Sequence, residues 1–285
     1  MSNIRDIKNR IDSVRNTRQI TNAMKMVAAS KLRKAQDRIV NARPYADYLE
    51  FMIRSVKYKN PDTEHPMLTE NQDKNAKRLL VVMTSDRGLC GSFNSNIIRS
   101  TKVYLEKHPD TDVICIGRKG YEQISKLTSS IIDKYFNLFN EMNFNDIKDI
   151  TKGVLNLYLN NGYARVDVIY NEFKSAIQQN IIEKQILPII PPESPAISQV
   201  DYLYEPDENT VIEELGTKYI DVEIWRMMLE SSAAEQGARM TAMDNATENA
   251  TELIDSLTLL HNRARQAAIT TEIIEIASGA EAINE

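Results

Sequence analysis

Apolar residues at alternating steps of three and four open the chain. Ile4, Ile7, Ile11 and Val14 form one run; Met24, Ala28, Leu32, Ala35, Ile39 and Ala42 resume it. So narrow a seam is what a helix shows when it packs on a partner helix, whereas a globular core takes a wider stripe. Asn3 is placed to cap this helix, and Asp6 lies in its first turn, facing the positive end of the dipole. The polar break at 15–19 is either a register shift or a surface meant for something else. Pro44 removes a backbone hydrogen bond and predicts a kink or break. The helix should resume over 45–57, with Tyr48, Met52 and Val56 in line.

The other end repeats the theme at greater length. No proline follows Asp207, and nearly all of the stretch reads as helix. Thr210 and Glu213 have capping-box spacing. Ile212, Leu215, Tyr219, Val222, Leu229 and Ala233 make a first seam, and Leu253, Leu257, Leu260, Ala264 and Ala267 a later one. Between them the chain is soft and small, from Ala233 through Gly237 to Ala246. Gly216 and Gly237 each cost about 1 kcal/mol against alanine in a helix interior; close backbone approach or a local bend would account for them. A continuous helix over 210–277 would run about 100 Å, longer than any ordinary globular domain needs.

The middle changes period. Apolar runs at 79–83 and 113–116, alternation at Val166, Val168 and Tyr170, and the stretch 177–187 read as strands. Helical stretches lie between them: 94–107, stopped at His108-Pro109, a short one at 121–127, and one capped by Asn145 that ends before Gly162. Such alternation predicts an α/β domain with a mostly parallel sheet. The expected organisation is an N-terminal coiled-coil helix over 1–58, a polar linker over 59–76, the α/β domain over 77–190, a Pro-rich connector over 191–208 and a long coiled-coil helix over 209–285. The two terminal helices would pair antiparallel, with a Rossmann-like α/β domain inserted between them.

Charge supports that pairing. Residues 1–60 hold fourteen Lys/Arg against five Asp/Glu, while 201–285 hold five against eighteen. Opposite signs at coiled-coil flanks set partner and orientation. A nucleic-acid or lipid arm is the other reading of a basic helix, but this one is amphipathic and needs an apolar partner. Two cysteines, Cys90 and Cys115, make neither a disulfide framework nor a metal cage and suit a reducing compartment. The start lacks the apolar core of a signal peptide, and no run of 18 apolar residues predicts a membrane span.

Candidate chemistry is sparse. The loop 85–91 follows a strand and precedes a helix, where α/β folds bind phosphates, yet it matches neither dinucleotide nor P-loop spacing. Its glycines, Gly88 and Gly91, more simply serve a turn or a close contact. A phosphate-binding α/β enzyme with coiled-coil arms is the rival reading, and this loop is its one candidate site. His65, His108 and His261 are scattered without metal spacing, and Glu213-Glu214 reads as a solvated face. No catalytic, cofactor or metal set emerges.

Several motifs, in order along the whole chain, resemble the γ-subunit family of F-type ATP synthases, the central rotor shaft. They are Asn16-Thr17 with Ile20-Thr21, Ala23-Met24-Lys25-Met26-Val27-Ala28-Ala29-Ser30-Lys31, Ser85-Asp86-Arg87-Gly88-Leu89-Cys90-Gly91, Met243-Asp244-Asn245-Ala246-Thr247-Glu248-Asn249-Ala250 and Asn262-Arg263-Ala264-Arg265-Gln266-Ala267. The tail Ile269-Thr270-Thr271-Glu272-Ile273-Ile274-Glu275, then Gly279-Ala280-Glu281-Ala282, completes the set. The resemblance implies a non-catalytic subunit that turns inside a hexamer of α and β subunits. Its α/β domain would sit with subunit ε on the ring of c subunits. It further implies coupling contacts at Arg15, Met24, Lys25, Arg239, Arg265, Gln266, Thr270, Thr271 and Glu272. The loop of Asp86, Arg87, Gly88, Leu89, Cys90 and Gly91 would belong to a foot region. Expected with it are no cofactor, no nucleic acid, membrane contact only through the complex, and a peripheral place on the cytoplasmic face of a bacterial cell membrane. Two positions depart from the family pattern: Thr271, where many members carry Gln, and Ile274, where many carry a hydroxyl. No cysteine-bearing insert stands near 192–210, so thiol regulation of the chloroplast kind is not expected.

Overall fold

The structure, a computed structural model, describes residues 4–59, 65–69, 71, 76–139, 142–176, 178–190 and 203–284. The expected cap at Asn3, most of the polar linker, and residues 191–202 of the Pro-rich connector lie outside the described residues, as do the side chains of Ala280 and Ala282. The elements in order are α1 (Ile4–Lys59), β1 (Arg78–Met83), α2 (Phe93–Lys107), β2 (Thr111–Ile116), α3 (Arg118–Ile124), β3 (Ile131–Tyr135), α4 (Phe144–Asn161), β4 (Arg165–Phe173), β5 (Gln179–Leu187) and α5 (Glu208–Asn284). They form two compact units, one of Met1–Val27 with Met240–Glu285 and the other Ala28–Arg239.

The larger unit is built on a five-stranded sheet of order β3-β2-β1-β4-β5. β1 to β4 are mutually parallel, and β5 runs antiparallel at the edge. The apolar runs read as buried strands because both faces are covered. Along β1, Leu80 and Val82 face a core with Phe93, Ile97 and Tyr104 of α2 and Ile124 of α3. The intervening Leu79, Val81 and Met83 face Ile147, Ile150 and Val154 of α4, together with Ile53 and Val56 of α1 and Ile220, Ile224 and Met228 of α5. All of these are at most 3 % exposed, and each buried aliphatic side chain contributes about 1.5–3 kcal/mol. In α5 every residue from 227 to 238 is buried, which is the pattern of a helix enclosed on all sides.

Several expectations change in this unit. α1 runs through Pro44 without a break. Beyond Pro44 it is held by Ala46, Leu49, Ile53 and Val56, not by Tyr48, which is 59 % exposed. Val40, whose carbonyl has no N–H at Pro44 to accept from, lies on the exposed face of the helix, 62 % exposed. β3 was not foreseen. α3 begins three residues before the expected short helix and ends at Ile124. α4 is capped by Asn143, whose side chain accepts from the Asn145 amide, and it closes on Gly162 at φ 67°. α5 starts earlier than Thr210: the Asp207 carboxylate accepts from the Thr210 amide at 3.0 Å and its hydroxyl at 2.7 Å. A carboxylate accepts both bonds at once, so Asp207 is the better cap. Two of the three glycines of α5, Gly216 and Gly237, mark close approach. A Cβ on Gly216 would lie 3.0 Å from the Met67 methyl, and one on Gly237 3.2 Å from the Ala176 Cα.

In the smaller unit the start of α1 pairs with the later part of α5. Ile7 and Ile11 are buried with Ile254 and Leu257, flanked by Val14 and Ala264. Thr21 and Thr247 share a hydroxyl bond of 2.7 Å, and Lys25 Nζ donates to Asp244 Oδ1 at 2.5 Å. As positions climb along α1 their partners descend along α5, so the pairing is antiparallel, as the seams predict. The α5 seam, however, runs Met243, Thr247, Ala250, Ile254, Leu257 and Ala264. Leu260 is 47 % exposed and Leu253 39 %, and Ala267 is also exposed. Apolar residues stand side by side at Leu253-Ile254, and the partner's isoleucines select the phase.

Candidate functional site

Two places carry the residues singled out from sequence, one in each unit. In the smaller unit they line the paired helices and the tail of α5. Arg15 is exposed and pairs with Asp12 on its own helix at 3.3 Å. Met24 is half-buried, and Lys25 is held by Asp244. Pairing along α5 reaches Ala264, and from Arg265 to Gly279 every residue is exposed. Ile269, Ile273, Ile274 and Ile276 are 44 to 67 % exposed. Large apolar residues in a row on a soluble surface mark a place where something else lands. Thr270 and Thr271 donate their hydroxyls back to the carbonyls of Gln266 at 2.9 Å and Ala267 at 3.0 Å, which leaves their oxygens facing out as acceptors. Gln266 and Glu272 are exposed beside them.

In the larger unit the loop 85–91 sits at the carboxyl end of β1, the switch point where the chain turns to β2 on one side and β4 on the other. The rival reading needs backbone amides aimed at a phosphate here. Instead the loop is spent on itself. The Ser85 amide donates to Asn94 Oδ1 at 3.0 Å, and Ser85 Oγ donates to the Arg87 carbonyl at 2.6 Å. Asn94 Nδ2 donates to Ser85 Oγ at 2.8 Å and to Cys90 Sγ at 3.3 Å. Leu89 and Gly91 take positive φ, 62° and 56°. The Asp86 carboxylate accepts from the Arg118 amide at 3.1 Å and ties the loop to the start of α3. Beneath it the Thr84 hydroxyl accepts from the Gly120 amide at 2.8 Å. The crevice at the β1–β4 switch point is filled by α5: Ala234 and Ala238 join the core of Cys90, Phe93 and Ile169, and Gly237 lies against Ala176. Small residues are needed there because the helix passes so close to the backbone.

Arg239 closes this arrangement. Its Nη1 donates to Glu235 at 2.6 Å and its Nη2 to the Gly88 carbonyl at 3.2 Å. The resemblance sets the loop in a foot region apart from a coupling residue at Arg239, but the structure joins the two by a hydrogen bond. Burial pushes the Glu235 carboxyl above its ordinary range, and Arg239 pulls it back. Burial likewise raises the Cys90 thiol, opposed by the bond with Ser85 and the charge of Arg239; burial alone raises Cys115 to about 12. Both thiols are buried and free, and neither is tuned as a nucleophile. Sequence reasoning missed Thr84, Asn94 and Glu235. The signal for Thr84 lay in the Gly117–Gly120 pair that opposes it.

Among the described residues no group of three or more His, Cys, Asp or Glu side chains is placed to hold a metal, and no helix is long and apolar enough to cross a membrane.

Comparison with known proteins agrees with this geometry. The family model described as ATP synthase matches residues 3–283. The ATP synthase gamma chain of Pelodictyon phaeoclathratiforme is 47 % identical over 290 residues, covering 99 % of both chains. A chain in the central stalk and c-ring structure of Tetrahymena thermophila mitochondrial ATP synthase is 29 % identical, with a TM-score of 0.62 over 80 % of this chain and 99 % of that one. A chain of the Euglena gracilis mitochondrial ATP synthase shares the fold at a TM-score of 0.71 and 20 % identity, covering 98 % of this chain and 94 % of that one.

Proposed function

The chain belongs to the ATP synthase gamma-chain family, and from that membership we propose that it is the non-catalytic shaft that links ion flow through a membrane ring to the nucleotide sites of a surrounding hexamer. Residues 1–58 and 209–285 supply the shaft, and 77–190 the base. The partners are the α and β subunits around the shaft, and ε and the c ring at the base. The place is peripheral, on the cytoplasmic face of a bacterial membrane.

One observation supports this reading above the others. Beyond Ala264 the α5 tail has no partner helix among the described residues, yet it keeps a row of exposed isoleucines. An isolated helix end is marginal in water, so a sleeve of other subunits is the setting that suits it. A shaft needs stiffness, and two paired helices resist bending better than one. It also needs an asymmetric surface, which shifts each of several identical sites toward a different state as it passes. The exposed Arg265, Gln266, Thr270, Thr271 and Glu272, with Arg15, Met24 and Lys25 on the neighbouring helix, are the coupling residues of this reading.

Deletion of residues 272–285 tests it. ATP-driven ion pumping by the reconstituted complex should be lost or strongly reduced, while thermal unfolding of the α/β domain stays unchanged. Equal collapse of that domain would contradict a free-standing tail. Purified alone, the chain should hydrolyse no ATP.

A further inference from the structure

From Ile220 to Ala238 every residue of α5 is buried except Trp225 and Arg226, which are half-buried. Apolar burial is non-directional, and its last part here is made by Ala233, Ala234, Gly237 and Ala238, side chains too short to catch a turning helix. Hydrogen bonds are directional, and one crosses from the α/β domain to α5 near each end of this stretch. Lys184 Nζ on β5 donates to Glu223 Oε2 at 2.6 Å, and Glu223 is 2 % exposed. Arg239 Nη2 donates to the Gly88 carbonyl at 3.2 Å, while Glu235 holds its Nη1 at 2.6 Å. At about 1.5 Å and about 100° per residue, residues 223 and 239 stand about 24 Å apart along the helix and about 160° apart around it. A helix held at two heights on nearly opposite flanks neither turns nor tilts without breaking one of these bonds. Gly237, on the Glu223 flank, lets Ala176, between β4 and β5, approach as well. Stability does not account for the charges. Desolvation offsets most of what a buried ion pair gains, and Glu235 Oε2 is buried with no hydrogen-bond partner among the described residues.

We propose that the Lys184–Glu223 pair and the Arg239–Gly88 bond are rotational keys, which hold the angular position of α5 fixed in the α/β domain under torque. The role rests on the shaft reading. Arg239 is then a positioning residue that acts through the loop 85–91, with Glu235 orienting its guanidinium, where the resemblance alone would make it a contact with other subunits.

Two double variants remove one key each: Arg239→Met with Glu235→Leu, and Lys184→Met with Glu223→Leu. In the second, Arg226 keeps its pair with Glu230 at 3.2 Å. Apolar side chains of similar size in place of a buried ion pair should leave urea unfolding of the full chain unchanged or shifted to higher urea. Hydrogen exchange of the Ser85 and Arg118 amides, which the loop's own bonds protect, should speed up roughly tenfold or more in the first variant, through loss of one charge-assisted bond, and stay unchanged in the second. The chain is then assembled with α and β subunits, the hexamer is fixed to a surface, and the angle of a bead on the α/β domain is recorded with ATP removed. Each variant should widen the angular distribution, and the two combined should widen it further. Distributions as narrow as that of the unaltered chain, unchanged exchange in the first variant, or a fall in stability that accompanies the widening would overturn the proposal. An unaltered chain that fails to rotate with ATP would instead contradict the shaft reading itself.

Discussion

Thr84 and its two glycines show how tightly single positions are set. Gly117 holds φ +98°, and a Cβ there would sit 2.0 Å from the Thr84 carbonyl oxygen. Gly117→Ala should therefore cost roughly 3 kcal/mol or more, combining backbone strain with a clash against main chain, and urea unfolding measures it. Gly162→Ala is the contrast: φ is +67° but nothing lies within 4 Å, so only the conformational part, about 1 kcal/mol, should be lost. A second residue-scale prediction concerns pH. Burial raises the Asp221 carboxyl above its ordinary value, outweighing Thr151, Lys148 and Lys152. A carboxyl whose folded value is raised opposes folding once ionised, and that cost fades as pH falls through the raised value. Asp221→Asn should thus stabilise the protein near neutral pH, with the gain shrinking toward acid. A gain that grows on acidification in urea melts would contradict the assignment. The constraint on Gly117 is not local in sequence, because Thr84 reaches it only once β1 and β2 lie side by side. Asp221 is one of eighteen acidic residues over 201–285, and nothing local sets it apart, since its burial depends on α4 packing beside it.

At the scale of elements, the phase of the α5 seam is the point most open to test. Leu257 is 8 % exposed against Ile7 and Ile11, whereas Leu260 is 47 % exposed. Leu257→Ala should cost about 2–3 kcal/mol, the lower part of the range for buried leucines, and Leu260→Ala within about 0.5 kcal/mol. Equal costs, read by denaturation followed with circular dichroism, would restore the phase that the leucine spacing favoured. That spacing misled because leucine at 253, 257 and 260 looks like a seam in isolation, while the true one passes through Thr247 and Ala250. Strands buried on both faces were legible, as were the helices ended by His108 and Gly162. β3 was not: it is a sheet edge with only its end residues half-buried, so its apolar signal is weak. Pro44 looked like a breaker because its cost is local, whereas the packing of Leu49 and Ile53 that carries the helix through it is tertiary.

For the whole molecule, the two features that mattered most were readable early: seams at both ends with opposite charge, and strand–helix alternation between them. What the sequence left open was the fate of the switch-point crevice. A loop such as 85–91 is compatible with a phosphate site until α5 is seen to occupy the space beside it, with Ala234, Gly237 and Ala238 shaped to fit. With the crevice filled, the loop 85–91 does not offer the phosphate cradle that the rival reading needs, and the proposed shaft role is the one to test. The direct test of that role is rotation. A hexamer of α and β subunits is assembled with this chain and fixed to a surface, and a bead is attached to the α/β domain. With ATP, the account predicts continuous rotation in one direction that stops when ATP is removed. Sustained ATP hydrolysis by the same complexes with a stationary bead would contradict it.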